Sequence, residues 1–361
     1  MKNDVIRLRQ LMALAVVGLM SAVLRLIPNV VVTKAGAAGW LAPVAAIVPL
    51  LLLVWVMAAL TKSRQEGEGM TQIFYNVLGP AGGRILAILF ALWLIIYGGF
   101  TLRAGSERLL SAVYRQGNIN VFMLVTLAAA AVGAWGRVSA LVRSAEVFSL
   151  FLIGIFLIVF GFSLPNMEGS NLLPVSYLDT GNILMGALPV VNVVSPFIYY
   201  FFLAGHVKKQ EKSHKVMMYG LLGALLFILL LLLTTIGTFG AALAAQLQNT
   251  FFAMVRNIKI FDIIERIESV VISVWVVTDF VYLAALMMIS AEILKTVFGA
   301  EKRRSFVPPI AIAFFIVAKV IAPNAFSLTW ISQQLMPGIN LGIAFLVFPC
   351  LLLIGRLRKR V

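Results

Sequence analysis

The sequence predicts an all-α integral membrane protein of ten transmembrane helices. They form a single transmembrane domain over 1–361, in two halves of five at about 8–162 and 181–355. Three observations predict it. Of 361 residues, 61% are hydrophobic and 12% charged, with mean hydropathy +1.02; a soluble domain carries about 25% charge. Apolar runs near the ~20 residues that cross a bilayer follow one another with little between them. Lys and Arg collect in alternate connections.

The segments read as 8–32, 39–60, 84–109, 118–134, 139–162, 181–204, 214–239, 266–294, 306–322 and 331–355. Turn signals mark boundaries at Gly36 to Gly39, Gly79-Pro80 with Gly82-Gly83, Pro165-Asn166, Pro323-Asn324 and Pro337-Gly338. Basic residues precede segment one as in a signal peptide, but the run is too long and lacks a small-residue cleavage pattern, so it reads as a retained spanning helix. Placing the N-terminus in the cytoplasm puts 20 of the 29 Lys and Arg on that side. The other 9 include Arg25, Arg103, Arg108 and Lys319. The bias places both termini inside. Within residues 61–83, the stretch Met70 to Leu78 reads as a short inner interfacial helix. Residues 250–268 alternate Val255, Ile258, Phe261 and Ile264 with charges at helical spacing, an amphipathic helix on the outer face.

Segments one and six carry breaks at matched positions. Segment one contains Gly18, Ser21 and Pro28; segment six contains Pro189, Asn192, Ser195 and Pro196. A broken helix frees backbone groups inside the membrane, tolerated only where they line a cavity or bind something polar. Pro189, Asn192, Pro196 and Tyr199 share a face, which reads either as a solute-binding break or as a proline-kinked helix. Gly18 and Ser21 mark either the unwound point of segment one or close packing. Asp279 is the deepest acid, with Trp275, Thr278 and Tyr282 on its face. It is a proton or cation site, an anchor for a ligand amine, or a hydrogen-bonded structural carboxyl. Tyr97, Thr101 and Gly105, with Gly98 and Gly99 beside them, make a narrow stripe that another helix or a ligand can approach. Arg103 and Glu107 read as a structural i,i+4 pair, and Glu146 with Arg143 and Glu292 with Lys295 as interfacial pairs.

Several function classes are absent. The net charge of +15 sits in loops on one side of the membrane, so no nucleic-acid partner is expected. Cys350 has no cysteine partner, and His206 and His214 have no cysteine nearby, so no metal or cofactor is expected. No GxxxxGK[ST], HExxH, CxxC or GxSxG occurs, so the chain does not read as an enzyme.

The opening Ile6-Arg7-Leu8-Arg9-Gln10-Leu11, the stretch Phe261-Asp-Ile-Ile-Glu265-Arg266-Ile-Glu268 before segment eight, and Trp275 resemble the spore germination permease family, the B subunits of germinant receptors. The wider pattern looks like the amino acid–polyamine–organocation superfamily, with its inverted five-plus-five (LeuT-like) fold and broken first and sixth helices. The resemblance implies a sensor of a small nutrient, typically an amino acid, in the spore inner membrane. It also implies a larger membrane A subunit and a C lipoprotein subunit as partners, besides membrane lipids. The implied mechanism sets the ligand carboxylate on N–H groups at the break around Gly18, Leu19, Met20 and Ser21, and the amine near Val191, Asn192 and Ser195. The binding residues it suggests are these together with Tyr97, Thr101, Tyr199, Trp275 and Thr278. A proton-coupled amino acid transporter and a ligand-free membrane scaffold are the competing readings.

Overall fold

The computed structural model describes residues 4–65, 67–112, 117–208, 213–247, 249–257 and 267–360. Among them the regular structure is helical, joined by short turns and loops, apart from one isolated parallel bridge between Ile6 and Val207. The helices are α1 (Leu8–Ala35), α2 (Ala42–Ala45), α3 (Ile47–Lys62), α4 (Met70–Ala112), α5 (Ile119–Trp135), α6 (Val138–Ser163) and α7 (Thr180–Val194). They continue as α8 (Ser213–Gln246), α9 (Thr250–Arg256), α10 (Ile267–Phe298), α11 (Val307–Ile321), α12 (Ala325–Trp330), α13 (Met336–Gly342) and α14 (Phe348–Leu357).

Eight helical stretches among the described residues are long and apolar enough to cross a bilayer; the first, Leu8–Lys62, contains segments one and two. The shorter apolar helix Ile119–Trp135 corresponds to segment four. The outer surface is apolar, with Val132 75% and Leu150 70% exposed. Helices suit such a surroundings because each satisfies its own backbone groups. Inside, α1 packs against α6, α7, α8 and α10, and α10 also against α4 and α5. These two helices form the centre of the bundle.

Local sequence explains where the helices bend. Met70–Leu78 is helical and passes into the rest of α4 at Gly79, whose φ of 82° is open to glycine. Pro80 follows it and cannot donate to the preceding turn. In segment six α7 gives way at Ser195 to a 3-10 helix, Ser195–His206. Runs of this kind longer than three or four residues are uncommon. Pro196 has no N–H for the carbonyl of Asn192, and the Ser195 hydroxyl donates to that carbonyl instead at 3.1 Å.

Three expectations change. Segment one is not broken: α1 is one continuous α-helix from Leu8 to Ala35, with Gly18, Ser21 and Pro28 inside it. Gly18 serves close packing, since a Cβ there would lie 2.0 Å from the Tyr200 hydroxyl oxygen. Pro337-Gly338 does not end a segment; both lie within α13, which follows a π-helical turn, Ile331–Leu335. Glu146 pairs with Arg9 at 3.5 Å and accepts from Gln10 at 2.7 Å, rather than meeting Arg143, because α1 lies against α6. Of the amphipathic helix read over 250–268, Thr250–Arg256 is helical as α9, and 258–266 fall outside the described residues.

The residues before α1 form a clasp. Ile6 N–H donates to the His206 carbonyl at 2.9 Å, and Lys208 N–H donates to the Ile6 carbonyl at 3.2 Å. The Asp4 carboxylate accepts from the N–H groups of Val138 (3.3 Å) and Ser139 (2.8 Å), capping the otherwise unpaired start of α6. Burial pushes the Asp4 carboxyl up, but hydrogen bonds from Ser139 and Val138 and the nearby His206 outweigh it, leaving it below the usual value of 3.8. A carboxyl lowered on folding contributes stability above its unfolded value and loses it as the pH falls through the folded one. Asp4→Asn is therefore expected to lower stability by about 0.3–1 kcal/mol at neutral pH, the contribution of a negative charge at a helix start. The difference should begin to shrink as the pH falls towards 3.8 and vanish only below the lower, folded value. Thermal unfolding in detergent across pH measures it; a difference independent of pH would contradict the cap.

Candidate functional site

Five elements present polar groups to one place in the middle of the bundle. α1 brings Ser21 and Arg25, four residues apart on one face. α4 brings Tyr97, Thr101, Gly105 and Arg108 in the same manner. α10 brings Asp279 and Tyr282, α7 brings Asn192 near its end, and the last segment brings Ser332 and Asn340. Ser332 sits in the π-helical turn Ile331–Leu335, the kind of local bulge that is frequent at functional sites.

Asp279 is the hub. It is 2% exposed, and Arg108, at 3%, pairs with it through Nη2. The Ser21 hydroxyl donates to the other Asp279 oxygen. Arg108 Nη1 donates to the Ser21 hydroxyl at 3.0 Å and to the Ser21 carbonyl at 3.2 Å, and its guanidinium lies 4.9 Å from the centre of the Trp275 ring. Buried charges persist only when paired and hydrogen-bonded, and here both carboxylate oxygens have a donor. Gly105 permits the approach, because a Cβ there would sit 2.8 Å from Asp279 Oδ2.

Beside this cluster lies a cavity of about 30 Å³, lined among others by Ser21, Tyr97, Thr101, Asn192, Asp279 and Asn340. A second cavity of about 130 Å³ shares Arg25, Arg108 and Ser332 with the first and also reaches Glu107 and Gln333. Asn192 is 6% exposed, and its Oδ1 has no hydrogen-bond partner. Thr101 returns its hydroxyl to the Tyr97 carbonyl at 2.8 Å. The cavities therefore offer one buried ion pair, a second guanidinium, and neutral amide and hydroxyl groups around a small polar space.

Of the residues singled out from sequence, Ser21, Tyr97, Thr101, Asn192 and Asp279 line the inner cavity. Gly18, Leu19, Met20, Val191, Ser195, Tyr199, Trp275 and Thr278 do not. Leu19 and Met20 are buried within the continuous α1, whose N–H groups are used by the helix. Tyr199 stands behind the cavity wall, donating to Asn340 Oδ1 at 2.7 Å and accepting from Trp93 Nε1 at 3.1 Å. Trp275 lies under Arg108, and Thr278 donates to the Trp275 carbonyl at 3.0 Å. Asp279 is held in an ion pair rather than presented alone to a ligand amine. In the stripe on α4, Gly98 and Gly99 take the Phe314 and Val317 side chains of α11, and Gly105 takes Asp279.

Sequence reasoning missed Arg108, Ser332 and Asn340 as site residues and counted Arg25 among the basic residues away from the cytoplasmic side. Arg108 continues the Thr101 and Gly105 face by one more step of three, which was the available signal. Nothing local marks Ser332 or Asn340. Arg103 and Glu107 do pair, and Arg103 Nε also donates to the Ala322 carbonyl at 3.1 Å. Glu292 meets Lys295 at 3.1 Å and Arg303 at 3.7 Å.

The molecule is thus an all-helical integral membrane protein enclosing a small polar site at the centre of an apolar bundle. A family model described as spore germination protein matches residues 5–326, and the chain belongs to that family. It is similar to spore germination protein A2 of Bacillus subtilis (strain 168), at 25% identity over 300 residues, 80% of each chain. It is also similar to the putative spore germination protein YfkT of the same organism, at 22% identity over 278 residues, 73% of this chain and 72% of the relative.

Proposed function

We propose that the chain is a germinant-receptor subunit that binds a small nutrient, an amino acid, at mid-membrane and signals spore germination through partner subunits. The observation that carries this is the buried Arg108–Asp279–Ser21 cluster beside a cavity into which Asn192 turns an unpartnered oxygen. Intramembrane ionisable groups are costly and mark function by default. Family membership supports a role in germination, and with it an A subunit and a C lipoprotein subunit as partners. The charge bias in the loops supports cytoplasmic termini, and the family supports the spore inner membrane as the location. The site acts by binding rather than by catalysis. Because its walls come from α1, α4, α7, α10 and the last segment, a ligand that prefers one arrangement of these helices shifts their equilibrium, and a partner subunit reads the shift.

A binding screen of the purified protein against amino acids, repeated with Asn192→Ala, tests the site. Loss of a buried polar contact is worth about 1–3 kcal/mol, so the variant should bind roughly ten- to hundredfold more weakly. Equal affinity would remove Asn192 from the site.

A further inference from the structure

We propose that Arg25 is the carboxylate anchor of this site, so that a carboxylate is obligatory on the ligand and an ammonium is not. The inference rests on the reading that a small nutrient occupies the cavity.

Charge is the first observation. Arg108 is matched by Asp279, and Arg103 by Glu107. Among the described residues Arg25 has no carboxylate partner; its polar contact is the Ser332 hydroxyl, at a long 3.4 Å. The site as built is net positive, in surroundings where an uncompensated charge is costly. An anionic ligand offsets that cost, and a ligand bearing only an ammonium adds to it.

Position is the second. Arg25 lines both the inner and the outer cavity, so a solute lying in either meets its guanidinium.

The third is the unbroken α1. With the backbone of Gly18 to Ser21 inside a continuous helix, no main-chain N–H there is left for an anion. A guanidinium supplies paired donors in the geometry of a carboxylate instead. Ammonium recognition is weaker by the same reasoning. In the inner cavity both Asp279 oxygens are engaged, by Ser21 and Arg108, and the unpartnered side-chain oxygens, Asn192 Oδ1 and Tyr282 Oη, are neutral; Glu107 lines the outer cavity and is paired with Arg103. A neutral acceptor contributes less than a charge pair.

The test uses the full chain in lipid nanodiscs and titration calorimetry with the proteinogenic amino acids. Each amino acid that binds is then compared with its carboxamide and with its deaminated carboxylate (for alanine, alaninamide and propionate). The carboxamide is expected to bind at least tenfold more weakly than the amino acid, and the deaminated carboxylate to stay within tenfold of it. Arg25→Gln should weaken the amino acid at least tenfold while leaving the carboxamide unchanged, with Arg25→Lys in between. Thermal unfolding establishes that each variant is folded; if Arg25→Gln is not, the comparison of acid with carboxamide on the unaltered chain decides. A carboxamide that binds as tightly as its acid, or a folded Arg25→Gln protein of unchanged affinity, overturns the role of Arg25 and leaves the nutrient site standing. Failure of every amino acid to bind overturns both.

Discussion

Arg108→Gln is expected to destabilise the protein by about 3–5 kcal/mol, and Asp279→Asn by a similar amount. Either change leaves one buried charge without its partner. Asp279 is 2% exposed and Arg108 3%, so water reaches the remaining charge only through the small cavities that these residues line. The remaining partners do not compensate. Ser21 is a neutral donor to Asp279, and the Trp275 face offers Arg108 only a cation–π contact at 4.9 Å. The double variant Arg108→Gln/Asp279→Asn removes both charges and should recover most of the loss, because a buried ion pair and its neutral replacement are nearly equal in free energy. Thermal unfolding of the four proteins in one detergent gives the cycle. Additive losses in the double variant would mean that the two groups do not depend on each other. Ligand binding separates structure from function: a double variant that is stable but does not bind assigns the pair to the site, and one that is stable and binds fully reduces it to scaffolding.

Gly98→Ala is expected to produce the second large effect. A Cβ at this position would lie 2.1 Å from Phe314 Cζ and within 2.6 Å of two more ring atoms. Phe314 is fully buried, so its ring has little space to retreat into. Overpacking of this kind costs about 1–3 kcal/mol, occasionally more. The strain should be relieved when Phe314 is shortened, so Gly98→Ala and Phe314→Ala together should destabilise by less than the sum of the single changes. Losses that simply add would show that α4 and α11 do not meet at this glycine.

Both predictions concern residues that sequence reading reached unevenly. Gly98 and Gly99 stood out beside the stripe of Tyr97, Thr101 and Gly105, where small residues let another helix or a ligand approach closely. Which partner approached was not readable. Asp279 stood out because an acid in the middle of a spanning segment is expensive wherever it points. Its partner did not, since Arg108 lies one residue inside the edge of the segment read as 84–109, and a run's edge does not say whether the last turn is in water or in protein. Segment six was readable through Pro196, whose missing N–H forces a local change of hydrogen bonding that needs no tertiary information. Segment one was misjudged for the opposite reason. Gly18 and Ser21 weaken a helix only slightly by themselves, and here the Tyr200 hydroxyl and the Asp279 carboxylate use the space and the side chain they offer while the backbone stays helical.

By itself the sequence determined the class of protein, the approximate place of each apolar segment, the acid at the centre and an interruption of segment six around its prolines. These are local properties: hydropathy sums along a window, and proline acts on its own turn. Only the tertiary structure decided that Ser21 meets Asp279 across 258 residues, that Arg108 meets it across 171, and that Arg25 is left without an acidic neighbour among the described residues. Helix faces select one another through shape and charge across the bundle, and that choice is not written in any single segment.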